Sequence, residues 1–325
     1  MTDLGQHSGR VEPDGAFSPL SAPKEGSSAN DSHGQQSSRK VRRRLTKAEA
    51  VAIGKRLSAR EQACLDDVAR LGTATGRQLE RLHYDPSESG RRTARIELAR
   101  LADLGVLQRL TRRIGGVRGG SRGFVYALGV TGQRILYPGR SRYREPWTPQ
   151  PSYLRHALNV SDLYVRLRET ERTGRLELVT YDGEPRCWRS FSGPGGAMAT
   201  LKPDAYAVLY QGDFEDRFFI EVDLGTEDGP RITAKARTFV NYWRSGKEQE
   251  STGIFPLVCW VTDTEQRRDF LARIFGQLSE GERGIFTVTT RDDFINHITT
   301  NNYAAVPVVL IGQDGQPDPP KEVNL

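Results

Sequence analysis

"FFIEVDLGTE", residues 218–227, is the stretch on which the fold turns. Its first half has the aromatic and β-branched character of a buried strand. It nevertheless carries two carboxylates, Glu221 and Asp223, two residues apart. On a strand, residues i and i+2 point to one face, so both acids share a side that Ile220 and Val222 do not. A third acid, Asp204, opens another strand-like run, "LKPDAYAVLY" (201–210), and sixteen residues separate it from Glu221. Neighbouring strands would bring all three together. Unpaired carboxylates repel, and at least one holds its proton unless a cation neutralises them. Mg²⁺ takes hard oxygen ligands of this kind. Asp204, Glu221 and Asp223 are therefore a candidate site for Mg²⁺ or Mn²⁺. The competing reading pairs Glu221 and Asp223 with Arg231 or Lys235 and needs no metal.

Outward from this stretch, the apolar patterning gives a helix over 153–170 and strands over 175–180, 204–210 and 217–224. A helix over 230–245, a strand over 255–262, a helix over 264–279 and a strand over 285–290 follow. "SGPGG" (192–196) reads as a loop. The order α-β-β-β-α-β-α-β predicts an α/β domain with a central mixed sheet and helices on both faces.

The N-terminal half reads differently. "LSAREQACLDDVARLG" (57–72) opens with Ser58 and has Glu61 three residues on, a capping-box pattern. Helices are expected there, over 75–83 and over 87–105, the last stopped by Gly105. Strands over 106–110 and 123–129 flank a Gly/Arg-rich segment, and "TGQRILY" (131–137) adds a further turn or two of helix. Three helices followed by a hairpin is the order of a winged helix-turn-helix. In that motif the second helix enters the major groove, which selects Arg91, Arg92, Thr93 and Arg95. The hairpin adds Arg112, Arg113, Arg118 and Arg122. Nine arginines face two acids between residues 91 and 122. Phosphate contacts from such residues give salt-dependent affinity, and arginine forks read guanine edges. A winged helix used for protein contacts is the competing reading.

The bulk numbers agree with a polyanionic partner. The chain has 325 residues, a net charge of +6 and a pI of about 9.3. Of 47 basic residues 39 are arginine, a ratio that phosphate binding and a GC-rich genome both produce. Cys64, Cys187 and Cys259 are far apart, without the spacing of a zinc site or a disulfide framework. No apolar run is long enough for a membrane span, and the N-terminus lacks the apolar core of a secretory signal. A cytoplasmic protein without a membrane partner is the expectation. The domains expected are a basic, disordered tail over 1–44 ending in "RKVRRR", a winged helix over 45–139 and a linker over 140–152. A nuclease-like domain over 153–310 and a flexible tail over 311–325 complete the chain.

The pairing of Pro203-Asp204 with Glu221-x-Asp223, in this element order, resembles the PD-(D/E)xK nuclease superfamily. These are restriction-endonuclease-like phosphodiesterases. The run "KPDA…FFIEVDLGTE…KARTFVNYW" is more narrowly similar to the replication-relaxation family of mobile-element proteins, over about residues 57–290. That resemblance implies relaxase-like, metal-dependent nicking of DNA in replication or transfer initiation. It implies Asp204 and Glu221 as metal ligands, with the backbone carbonyl of Val222 and with Asp223 beside them. Asp223 stands where the superfamily usually has lysine, and an aspartate cannot supply positive charge. Lys235 on the next helix is the candidate replacement and Lys202 the other option. Thr226 and Glu227 would support the site. His156 either points into it or is a satisfied half-buried histidine, and Glu169 is a weaker candidate. Tyr206 and Tyr242 lie near it, but nothing singles out a nucleophile, and "TFVNYW" reads as the apolar face of a helix through Phe239, Val240 and Trp243. Double-stranded DNA is the expected partner, with other transfer or replication proteins beside it. The competing function is a non-catalytic accessory factor or transcriptional regulator on a degenerate nuclease fold.

Overall fold

Alternation along residues 218–223 divides the larger core in two. Phe218, Ile220 and Val222 are buried in one apolar cluster and Phe219 in another. The strand that carries them therefore lies between two layers, as a central strand must. The computed structural model describes residues 45–114, 123–146 and 148–300, with backbone alone for 111–114. Both tails, including "RKVRRR", lie outside the described residues, as do Arg118 and Arg122 and the side chains of Arg112 and Arg113.

In chain order the N-terminal elements are α1 (Lys47–Gly54), α2 (Ala59–Leu71), β1 (Thr73–Thr75), α3 (Gly76–His83), α4 (Glu88–Asp103), β2 (Leu107–Ile114), β3 (Gly123–Leu128) and α5 (Val130–Leu136). Reciprocal capping boxes fix three of these starts, Thr46 with Glu49, Ser58 with Glu61 and Thr75 with Gln78. Strands β1, β3 and β2 form an antiparallel sheet in that order. It packs with α2, α3 and α4 around Leu65, Val68, Leu79, Leu98 and Leu101.

The C-terminal elements are α6 (Pro151–Glu171), β4 (Glu177–Gly183), β5 (Arg189–Ser192), β6 (Met198–Leu201), β7 (Ala205–Gln211), β8 (Phe214–Asp223), α7 (Gly229–Arg244), α8 (Lys247–Thr252), β9 (Leu257–Thr262), α9 (Glu265–Phe275), α10 (Glu280–Arg283), β10 (Phe286–Thr290) and α11 (Phe294–Thr299). The five-stranded sheet runs β10-β9-β8-β7-β4. Its β10, β9 and β8 are mutually parallel, and β7 is antiparallel to both of its neighbours, β8 and β4. Helix α6 covers one face with Leu163, Val165 and Leu167, and α7 and α9 cover the other with Ile232, Phe239 and Leu271. The sheet is mixed and the class is α/β, as the patterning predicts.

Sequence patterning misses several pieces. Helix α1, ahead of Leu57, leaves no signal in the patterning because it has no broad apolar stripe and buries only Ala50. Helix α6 starts at Pro151, inside the expected linker, since proline is well suited to the first helical position. The Gly-rich loop is the turn of a separate hairpin, β5–β6. Strand β1 is three residues long and carries no periodic signal.

Helix α6 belongs to two cores. Leu154 and Leu158 pack with Leu110, Val125 and Ala127 of the small sheet, while its later turns join the large one. Gln78 Nε2 donates to the carbonyl of Leu158 at 2.8 Å, and Ser161 Oγ to that of Thr73 at 2.9 Å. Arg81 forks onto Asp162 and Glu169 at 2.7 and 2.6 Å, which makes Glu169 a clamp on α3. From Leu45 onward the described residues form one compact unit.

Candidate functional site

Register brings the first two acids together. Ala205 pairs with Ile220, so Asp204 lies across from Glu221 at the start of β7 and near the end of β8. Asp204 precedes the strand and uses its side chain in place of a backbone acceptor: its Oδ2 accepts from the Val222 N–H at 2.7 Å. Its Oδ1 lies 3.0 Å from His156 Nε2, on the second turn of α6. Glu221 is 1 % exposed, and Lys235 Nζ, two turns into α7, sits in ion-pair contact with its Oε2. Neither Glu221 oxygen has a hydrogen bond of regular geometry among the described residues. Asp204, Glu221 and Lys235 thus meet, with His156 beside them.

Asp223 shares the face but not the partners. Arg267, in the first turn of α9, reaches its Oδ2 at 2.6 Å, and the Gly225 N–H donates to its Oδ1 at 2.8 Å. Arg267 also donates to the Glu227 carbonyl at 2.6 Å. A small cavity of about 100 Å³ opens at this end of β8, lined by His156, Asp223, Thr226, Glu227, Lys235 and Trp260 among others. The carboxyl ends of parallel strands are the usual place for a ligand in such sheets.

The environments separate the two buried carboxyls. Burial pushes Asp204 up, but the His156 bond, the Lys235 charge and the Val222 N–H outweigh it and hold it below its ordinary value. Burial dominates at Glu221, the neighbouring Asp204 adds to it, and Lys235 offsets only part, so its pKa rises well above the ordinary value. Burial disfavours the His156 cation, yet its bond to Asp204 raises the imidazole above 6.5. Lys235 is half-buried, which disfavours its charge, but Glu221 and Asp204 raise its pKa above the ordinary value. The two carboxyls are thus pushed in opposite directions, the pattern from which acid–base roles are assigned.

The cation that three acids demand is supplied by the protein. Lys235 faces Glu221, His156 faces Asp204, and Arg267 holds Asp223. A divalent ion would have to displace the ammonium from Glu221. Among the described residues no group of three or more His, Cys, Asp or Glu is arranged to hold a metal ion. The donors as placed therefore do not fit Mg²⁺ or Mn²⁺ without rearrangement.

Other expected residues lie elsewhere. Lys202 stacks over the Trp188 ring, 4.4 Å from its centroid. Tyr242 donates to Glu248 and Tyr206 accepts from Arg217; Phe239 and Val240 are core, as their helical spacing predicts. Arg267 escapes sequence reading because nothing local ties it to Asp223, 44 residues away.

On α4, Ala94, Leu98 and Leu101 face the core while Arg91, Arg92 and Arg95 are exposed. Arg91 lies near Glu80 and Glu88, and Arg95 near Glu88, at 3.3–3.8 Å. Thr93 Oγ1 donates to the Ser89 carbonyl.

An α/β protein with arginines on an exposed helix and a buried acid–lysine group at its sheet end is the class defined so far. The profile of the replication-relaxation family matches residues 65–258, more than half of the chain, and the chain belongs to that family. Membership points to a role in replication or transfer of mobile elements. No curated protein and no solved structure matches the chain.

Proposed function

We propose that the protein binds duplex DNA as a mobile-element replication or transfer protein, reading it through a winged helix formed by α2–α4 and the β2–β3 hairpin. The observation that carries this is the exposed α4 face. Arg91, Arg92 and Arg95 crowd its first two turns, and Arg92 has no ion-pair partner among the described residues. The test is fluorescence anisotropy of the full chain with duplex DNA across a salt series. Arg92→Ala and Arg95→Ala should each weaken binding on all sequences and lower the salt slope by about 1 for each phosphate no longer neutralised. Undiminished binding in the Arg92→Ala/Arg95→Ala double variant would reject the α4 face.

A second reading, strand nicking, is favoured by the pairing of Asp204 and Glu221 with Lys235. There the ionised Asp204 would orient His156, and Lys235 would bring positive charge to a phosphate, the role the missing motif lysine leaves open. A PD-(D/E)xK-like centre over residues 153–310 is the corresponding domain assignment. Supercoiled plasmid carrying DNA from the gene's neighbourhood, with Mg²⁺, Mn²⁺ or EDTA, is the substrate for the test. Open circles formed by the wild type and lost in Asp204→Asn would support nicking. Retention of nicking in Asp204→Asn, folded by circular dichroism, would move the chemistry elsewhere.

A further inference from the structure

A second cavity, of about 240 Å³, lies on the other side of α6, between β1, β4 and the segment before α6. Its walls are largely apolar and aromatic: Tyr153, Tyr181, Pro149 and Val160 face it, with His156 and Asp204 at one end. Tyr181 is fully buried and its hydroxyl donates to the Val160 carbonyl, so that wall is fixed. Tyr153 is 52 % exposed, an aromatic ring held against both the cavity and solvent. Thr73 also lines the cavity. It is 9 % exposed, and its Oγ1 has no hydrogen-bond partner among the described residues. A buried hydroxyl without a partner is costly and is normally matched by water or ligand. At the rim Glu184 accepts from Trp188 Nε1 at 3.2 Å and presents a carboxylate.

Size and chemistry narrow the occupant. A closed cavity of roughly 150 Å³ takes a benzene ring, so this one takes a single heterocycle and not a base pair. Small-ligand sites combine apolar and aromatic walls with a few placed polar groups. Nucleobases unstacked from a strand are held in this way, by aromatic stacking and polar contacts to their edges. Carboxylates accept from exocyclic amino groups of bases. The cavity also shares His156 with the smaller one beside Lys235.

We propose that this cavity binds the base of an unpaired nucleotide, which places the adjoining phosphate near His156 and Lys235. The inference deepens the DNA reading above and rests on it where the nucleotide belongs to a strand. A free mononucleotide has the same chemistry, so the test has an arm for each source.

The first arm measures anisotropy of the full chain with a paired duplex and with the same duplex carrying one extrahelical nucleotide. The wild type should bind the second about tenfold more tightly, the scale of one stacked base. Tyr153→Ala should lose most of that preference and Tyr153→Phe should keep it. Ala157→Phe, which fills the cavity from α6, should abolish it without changing paired-duplex affinity or melting temperature. The second arm titrates deoxynucleoside monophosphates by calorimetry. Mononucleotide binding that Ala157→Phe removes, without any duplex preference, would identify the free nucleotide as occupant. Equal affinity for both duplexes together with no mononucleotide binding would overturn the inference. So would a preference that survives in folded Ala157→Phe. Loss of all DNA binding by the wild type would instead overturn the DNA reading and leave only the mononucleotide arm to decide the cavity.

Discussion

Lys235→Met removes the cation paired with Glu221 and leaves a buried carboxyl against Asp204. Breaking one side of a buried pair costs about 3–5 kcal/mol. The Lys235 side chain is 32 % exposed, so solvent offsets part of the loss, and about 3 kcal/mol is expected from urea denaturation. Adding Glu221→Gln should restore much of it, because no stranded charge remains. A double variant no more stable than Lys235→Met would mean that the pair is not coupled in this way. Glu61 gives a pH-dependent counterpart away from the site. Burial pushes its carboxyl up, but the Ser58 N–H and Arg100, whose guanidinium lies 2.6 Å away, hold it below 4.5. Its folded pKa is depressed, so its contribution is present above 4.5 and lost as pH falls through the lower value. Glu61→Gln should cost about 1 kcal/mol near neutrality, since Arg100 is half exposed. The gap to wild type should close in acid, read as melting temperature against pH.

Among the elements, α4 depends on an atom-scale fit at its start. A Cβ on Gly90 would lie 2.1 Å from the Asp85 carbonyl oxygen, which belongs to the turn from α3. Gly90→Ala gains helix propensity of about 1 kcal/mol, but a backbone clash costs more. A net loss of about 1–3 kcal/mol is expected by urea denaturation, with weaker duplex binding as the turn shifts. Elements of this kind were the legible part of the sequence. The capping pair at Ser58, the apolar stripes of α2, α4 and α7, and the runs of β7, β8 and β9 are local signals, and each marks its element within a few residues. The site was half legible for the same reason. Glu221 and Asp223 share a face by period alone, and Lys235 follows on the next helix. What balances them depends on long-range packing: His156 meets Asp204 across 48 residues and Arg267 meets Asp223 across 44. Short elements such as β1 and α11 take their form from neighbours and leave no period to read.

At the scale of the whole molecule, α6 binds the small sheet and the large one through the same helix. Unfolding either core exposes the face of α6 that it covers. A single calorimetric transition is therefore expected, with calorimetric and van't Hoff enthalpies equal. Two resolved transitions would show that Arg81, Gln78 and Ser161 do not bind the two cores into one cooperative unit. The shared wall at His156 has its own consequence. One imidazole borders both cavities, so an occupant on one side changes the position or charge that the other side meets. Thermodynamic reciprocity then holds whatever the occupants are: if filling the first cavity changes affinity at the second by some factor, filling the second changes the first by that factor.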